Sequence, residues 1–193
     1  MSTAPLRKDA ARNWQRIVDV GRLAVDGGIS IQLNDVARTA GVGVATVYRH
    51  FPTPEALLET IAAPGLAALV AHAEQALAAS DPWHSLRDFL YAATEAQVTD
   101  PSLAPVFATP ESALPATAEA KRRLVAVFGA LLARARAAGA VDPAVSADDI
   151  VPLMCGVMFA ARVHPPADRA EHAATVRRYL TTLLNGVRAR PAL

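Results

Sequence analysis

The residues best suited to chemistry are Thr46, Tyr48, Arg49 and His50, which stand together in the run Val44 to His50. Their hydroxyl, phenol, guanidinium and imidazole groups can reach phosphate oxygens or the edges of bases. That mixture suits nucleic-acid binding, provided a scaffold presents it on one exposed side. The surrounding residues, Leu33 to Phe51, read LNDVARTAGVGVATVYRHF, two short helices joined by a tight turn. Gly41 and Val47 follow Ala37 by four and ten residues. Helices crossing at about 90–120° over a turn of about three or four residues need a very small side chain at the contact. Ala37 is that side chain. Gly41 ends the first helix at positive φ, which costs glycine almost nothing. Val36, Val42 and Val47 fill the wedge beneath the crossing. A plain αα-hairpin can share this spacing, but the polar, aromatic and basic content of the second helix favours a helix-turn-helix that reads DNA.

The flanks extend the pattern. With the motif they supply the pieces Arg16-Ile17-Val18, the Gly27-Gly28 stop, Asp35-Val36-Ala37, Ala40-Gly41-Val42, Val47-Tyr48-Arg49-His50-Phe51 and Glu55-Ala56-Leu57-Leu58. As an ordered set over roughly residues 8 to 62, these pieces resemble the DNA-binding domain of TetR-type transcriptional regulators. The rest of the chain is similar to that family's variable regulatory domain only in being helical and apolar. Three features depart from the pattern. Gln32 stands where the family caps the first helix of the motif with Ser or Thr, and Asn34 is expected to take over part of that cap, since Asn caps well. Gly21, Ala24 and Val25 thin the first helix where bulkier residues are common. Pro54 replaces a Lys or Arg that often grips phosphate, although Pro suits a first helical turn.

The resemblance implies roles for single side chains. Tyr48 is the phosphate contact of the recognition helix, against the alternative of packing on the first helix with its hydroxyl wet. Thr46 meets a phosphate or a thymine methyl, and Arg49 and His50 meet phosphate or guanine. Val44 and Ala45 offer apolar base contacts, and Gly43 lets the backbone approach the phosphates. Arg38 is placed to grip the DNA backbone. For Arg38 and Arg49 the competing reading is a solvated charge.

Bulk properties agree with such a protein. At 193 residues, with 52% hydrophobic and only 5% aromatic content, the chain favours closely packed helices over sheets. The expected class is all-α: an N-terminal helix-turn-helix domain over residues 8–62 and a helical regulatory and dimerisation bundle over 63–193. The net charge is +1, but Met1 to His50 carries seven Lys/Arg against four Asp/Glu, a modestly basic end. No uninterrupted apolar run reaches the ~18 residues that span a bilayer. The first residues lack the apolar core of a secretory signal. A single cysteine, Cys155, fits a reducing cytoplasm.

Further along, a helix over residues 8–26 carries Trp14, Ile17, Val18, Gly21 and Val25 on its buried stripe. Thr53 is the expected N-cap of a fourth helix, which Pro64-Gly65 interrupts and kinks near Ile61. Asp81-Pro82-Trp83 starts a helix to about Thr99, with Trp83, Leu86, Leu90, Ala93 and Gln97 inward. Four prolines over residues 100–115 leave room for one short helix and loops. In the next helix, 117–138, Leu124, Val125, Phe128, Leu131, Leu132 and Ala135 face inward, and Arg122, Arg123, Arg134 and Arg136 outward. Gly139 ends it. Ser146-x-x-Asp149 opens a helix to about Val163. The last helix, 168–185, carries Ala173, Val176, Leu180, Leu183 and Val187 as a seam-like stripe.

Ile150 to Ala161 is apolar around its whole circumference, and such a helix must be covered on every side. Its own domain core or a second copy of the chain can do this. The resemblance favours the second copy, since the family pairs through its last two long helices. A twofold pair also reads two half-sites roughly 34–36 Å apart on a palindromic operator, where one motif alone reads too few base pairs. Trp83, Phe89, Phe107, Phe128, Met154 and Met158, with Tyr91 and Phe159, are the candidate lining of an apolar effector pocket, and core packing accounts for each equally well. Gln97 and His164 read as satisfied polar groups. No histidine pair shows metal-ligand spacing, Cys155 sits in apolar surroundings that leave a thiol inert, and no phosphate loop follows a strand. No metal, cofactor or catalytic residue is therefore expected. The reading is a dimeric transcriptional repressor that binds a palindromic operator in double-stranded DNA and is released by a small apolar effector, with no membrane partner. Its rivals are a regulator of the same fold without ligand and a helical enzyme or interaction module.

Overall fold

Alanine- and leucine-rich amphipathic segments separated by Gly and Pro become helices throughout the computed structural model, which describes residues 4–163 and 166–189. Among the described residues the elements are α1 (Ala4–Asp26), α2 (Leu33–Ala40), α3 (Val44–His50), α4 (Pro54–Ala78), α5 (Pro82–Thr99), α6 (Leu103–Ala108), α7 (Pro115–Ala137), α8 (Ala147–Ala160) and α9 (Arg169–Val187). An isolated antiparallel bridge, Val141 with Arg188, is the β-pairing seen among them. The expected all-α class is the observed one.

The chain divides into two compact units. One runs up to Leu66 and takes back Asp100–Glu119; the other joins Ala67–Thr99 to Ala120–Leu193. In the first unit, α1, α2 and α3 close around Ile17, Leu33, Val36, Ala37, Val47 and Phe51, with Leu57 and Ile61 of α4 beneath them. Apart from the Ala37 methyl, fully burying side chains of this size contributes about 1.5–3 kcal/mol each. Gly21 allows α4 to approach α1 closely, since a Cβ there would lie 2.8 Å from Ile61 Cδ1 and 3.1 Å from Leu57 Cδ2. The thinness of the first helix is thus a packing feature. Trp14, expected on the buried stripe, is instead partly exposed, its ring centroid 6.3 Å from that of Phe51.

Helix α4 corrects a second expectation. Thr53 caps it, Oγ1 accepting the Ala56 N–H at 3.2 Å, and Pro54 is its first residue. However, Pro64 does not interrupt it. Proline forfeits one backbone hydrogen bond, but Ile61 and Ala62 on one side and Leu66 and Leu69 on the other are buried, so packing on both sides holds the helix through it. By length and composition α4 could also cross a membrane, although no uninterrupted apolar run suggested it; half of that stretch is buried within the protein, as in a core helix.

In the second unit α9 packs against α5 and α8. Asp81 Oδ1 accepts the His84 N–H at 2.8 Å and starts α5 as expected. The buried face of α5 is Trp83, Ser85, Leu86, Phe89, Leu90, Thr94 and Val98, while Ala93 and Gln97 are half-buried. Gln97 is satisfied, donating to the Ala93 carbonyl at 3.2 Å. On α7, Leu124, Phe128, Leu131, Leu132 and Ala135 face inward, but Val125 is 68% exposed. Arg134 is half-buried, donating to the carbonyls of Leu77 and Ala79 at the end of α4, which draws it off the solvent side. Gly139 stops the helix at φ 67°. Asp149 accepts the Ser146 N–H at 2.8 Å and its hydroxyl at 2.6 Å, the reciprocal half of the anticipated cap. These bonds hold the Asp149 carboxyl below its usual range. Helix α8 ends at Ala160, short of Val163, and His164 lies outside the described residues.

Candidate nucleic-acid interface

The geometry of the helix-turn-helix follows from its smallest residues. Ala37 is 1% exposed and Val47 fully buried, so the two helices meet on an alanine methyl and a valine. Gly41 turns the chain at φ 66°, ψ 35°. The Val42 and Gly41 N–H groups then return to the carbonyls of Ala37 and Arg38, at 3.1 and 3.3 Å. This pairing satisfies carbonyls that the end of α2 would otherwise leave bare. The start of α2 differs from expectation: Gln32 is the N-cap residue with no side-chain capping bond, and Asn34 lies exposed inside the first turn. Asn34 has helical backbone two residues past the N-cap position, too late to cap. Asp35 in that turn supplies negative charge next to the helix N-terminus instead.

Helix α3 spans the seven residues that the spacing marks out, Val44–His50. With Val47 inward, Val44, Ala45, Tyr48 and Arg49 are exposed, and Thr46 is half-exposed. Gly43 precedes the helix as its N-cap, exposed and extended at φ −63°, ψ 138°. Arg38 is exposed on α2, but its guanidinium already donates to Asp35 at 2.8 Å, so a phosphate would have to compete for it. Such a surface pair stabilises by about 0.2–1 kcal/mol, a weak competitor. His50 is half-buried beside Phe51; its Nε2 is shielded from solvent without a hydrogen-bond partner among the described residues, so that nitrogen does not face outward. The surface therefore offers one phenol, two guanidinium groups and a strip of small apolar side chains around a buried valine hinge.

Of the pocket candidates, Trp83, Phe89, Phe128 and Met158 are buried and Met154 half-buried in the second unit, with the Phe89 and Phe128 rings 6.1 Å apart. Phe107 belongs to α6 in the first unit, and Phe159 is 74% exposed. Tyr91 is half-exposed and hydrogen-bonded to Thr181 at 2.7 Å.

Three further polar residues stand out in the first unit, none marked by the sequence reading. Arg22 of α1 donates to Asp100 Oδ1 at 2.8 Å and to the Ile61 carbonyl of α4 at 2.6 Å. Glu59, 5% exposed on α4, accepts the N–H groups of Ala113 and Leu114 at 2.6 and 2.8 Å, immediately before α7. The available signal was Asp100-Pro101-Ser102, a turn sequence whose Asp accepts the Ser102 N–H at 3.0 Å.

Residues 22–61 match the family described as bacterial regulatory proteins, tetR family. Residues 81–189, more than half of the chain, match the C-terminal domain of SbtR-like transcriptional regulators, a TetR C-terminal family. A TetR transcription regulatory protein from Mycobacterium vanbaalenii is 30% identical, covering 95% of this chain and 99% of that one at a TM-score of 0.51. PfmR, a TetR family regulator from Thermus thermophilus, is 26% identical over 88% and 97%, at a TM-score of 0.61. An HTH-type transcriptional regulator of Staphylococcus aureus is 33% identical over 82 residues, so the chain spans less than half the length of that curated relative, 43%. These relatives are DNA-binding regulators of transcription and not enzymes. The chain belongs to the TetR family of bacterial transcriptional regulators.

Proposed function

We propose that this chain is a repressor that binds a palindromic operator in double-stranded DNA as a homodimer and is released by a small apolar effector. The observation carrying the proposal is helix α3. Its buried Val47 fixes the rotation that leaves Val44, Ala45, Tyr48 and Arg49 outward. Inserted in a major groove, Tyr48 and Thr46 hold phosphates, Val44 and Ala45 touch base edges, and Arg49 reaches guanine or phosphate. Gly43 gives the backbone room at the phosphates, while Arg38 and His50 add contacts at the rim.

Dimerisation draws support from α8. Val151, Cys155 and Phe159 recur every four residues and are all exposed, with Leu153 and Val163 exposed nearby. An apolar strip of this kind on one protomer calls for a cover, and a twofold mate presenting the same strip supplies it. The apolar stripe of α9 is not available for the mate: Val176, Leu180, Leu184 and Val187 are buried in their own unit. What α9 leaves exposed is mostly polar or small, Arg177, Arg178, Thr181, Thr182 and Asn185 among it. The aromatic and methionine side chains inside the second unit suit an apolar effector, and a cytoplasmic location accords with an exposed free thiol and DNA as partner.

Selection of duplexes from random sequence, followed by a gel shift at physiological salt, tests the proposal. A palindromic site bound by two chains supports it. Binding by one chain, or no sequence preference, removes it.

A further inference from the structure

The first unit contains more than the helix-turn-helix and the start of α4; it includes a return excursion of the chain, Asp100–Glu119. Two carboxylates fasten that excursion. Asp100, at its entry, holds the Arg22 guanidinium of α1, and Gly65 of α4 makes room for it, since a Cβ there would lie 2.9 Å from Asp100 Oδ2 and 3.4 Å from Leu103. Glu59 of α4, at its exit, accepts the Ala113 and Leu114 N–H groups ahead of Pro115. Between them Leu103 and Val106 are buried, as is Ser102, whose N–H and hydroxyl both donate to Asp100. The excursion is thus latched to α1 at one end and to α4 at the other. Covalently it continues from α5 and into α7, both of which lie mainly in the second unit.

We propose that Arg22 and Glu59 are positioning residues that make operator affinity depend on the seating of residues 100–119. The inference rests on the reading of the chain as an operator-binding regulator. Helix α1 is packed on α2 and α3 and is gripped by Asp100 through Arg22. Seating the excursion therefore sets α1 and α4 together, and any event that unseats it loosens the support of the reading helix. Because such coupling is reciprocal, operator binding must in turn tighten the latch. Neither Arg22 nor Glu59 touches DNA in this scheme.

The test uses the full-length protein and a duplex that the wild type selects from random sequence. Hydrogen exchange at Ala113 and Leu114 is followed with and without that duplex. The expected result is at least about fivefold slower exchange at both amides on DNA binding, alongside protection of Val44–His50. In parallel, Glu59→Gln replaces one acceptor oxygen by an amide that cannot accept an N–H, and Asp100→Asn discharges the partner of Arg22. Each is expected to weaken operator binding about tenfold while remaining dimeric, whereas Asp9→Asn, at an exposed pair with Arg12, leaves it unchanged. Protection of α3 with unchanged exchange at Ala113 and Leu114 overturns the inference. So does wild-type affinity in folded Glu59→Gln and Asp100→Asn proteins. If either variant fails to fold, exchange in the wild type decides. Failure of the wild type to select any duplex counts against the operator reading instead.

Discussion

The Val42 N–H reaches back 3.1 Å to the Ala37 carbonyl across a left-handed Gly41, and this one bond ties the end of α2 to the start of the turn into α3. A side chain at Gly41 meets no neighbour, so the demand there is conformational and not steric. Gly41→Ala should therefore cost about 1 kcal/mol, and Gly41→Val more, because a β-branched residue resists positive φ. Urea unfolding checks this. The same variants should weaken DNA binding in proportion to lost structure.

Tyr48 and Val47 are neighbours with opposite fates. Tyr48→Phe should leave the melting temperature unchanged and weaken binding to all duplexes alike, as expected for a phosphate contact. Arg49→Ala should relax preference at one operator position if it reads guanine, where a bidentate contact discriminates by about 1–3 kcal/mol. Val47→Ala should instead destabilise by about 1–3 kcal/mol through a core cavity and reduce binding only as a consequence. Gel shifts over a panel of single-base operator variants separate these behaviours.

Phe159 is the most exposed large apolar residue of α8, and Val151 and Cys155 continue its row. Phe159→Glu should convert dimer to monomer in sedimentation equilibrium with secondary structure retained. Operator affinity should fall by more than tenfold, since each half-site then binds alone.

His172 on α9 is half-buried, with Nε2 shielded and unpartnered among the described residues. Desolvation first, and the Arg162 charge second, hold its pKa below the ordinary value near 6.5. A histidine depressed in the folded state binds fewer protons there than when unfolded, so stability rises with pH through that interval. The protein should lose stability as pH falls below about 6.5. His172→Gln should flatten that dependence in thermal melts at pH 5, 6 and 7.

What the sequence made legible was set by local rules. Gly41, Thr53, Asp81, Gly139 and Ser146 act within a turn or two of themselves, so the ends of α3, α5 and α7 lie within two residues of where spacing put them. Pro64 was misread for the same reason: its local cost is real, but Leu66 and Leu69 beyond it are held by packing that no window reveals. Val125 and the α9 stripe show the related limit, because periodicity tells which residues share a face but not what that face meets. Asn34 stands two residues past the N-cap position, enough to remove a cap. Arg22 and Glu59 were invisible, their partners lying 78, 54 and 55 residues away.

The account stands or falls on whether the Val44–His50 surface reads a twofold DNA site. Nuclease footprinting on a selected duplex at physiological salt tests this directly. The expected footprint is two half-sites centred roughly 34–36 Å apart or at a multiple of that turn. It should weaken steeply with added salt, and be lost when Thr46 and Tyr48 are both replaced by alanine in a folded dimer. An unchanged footprint in that double variant, or a single asymmetric one in the wild type, contradicts it.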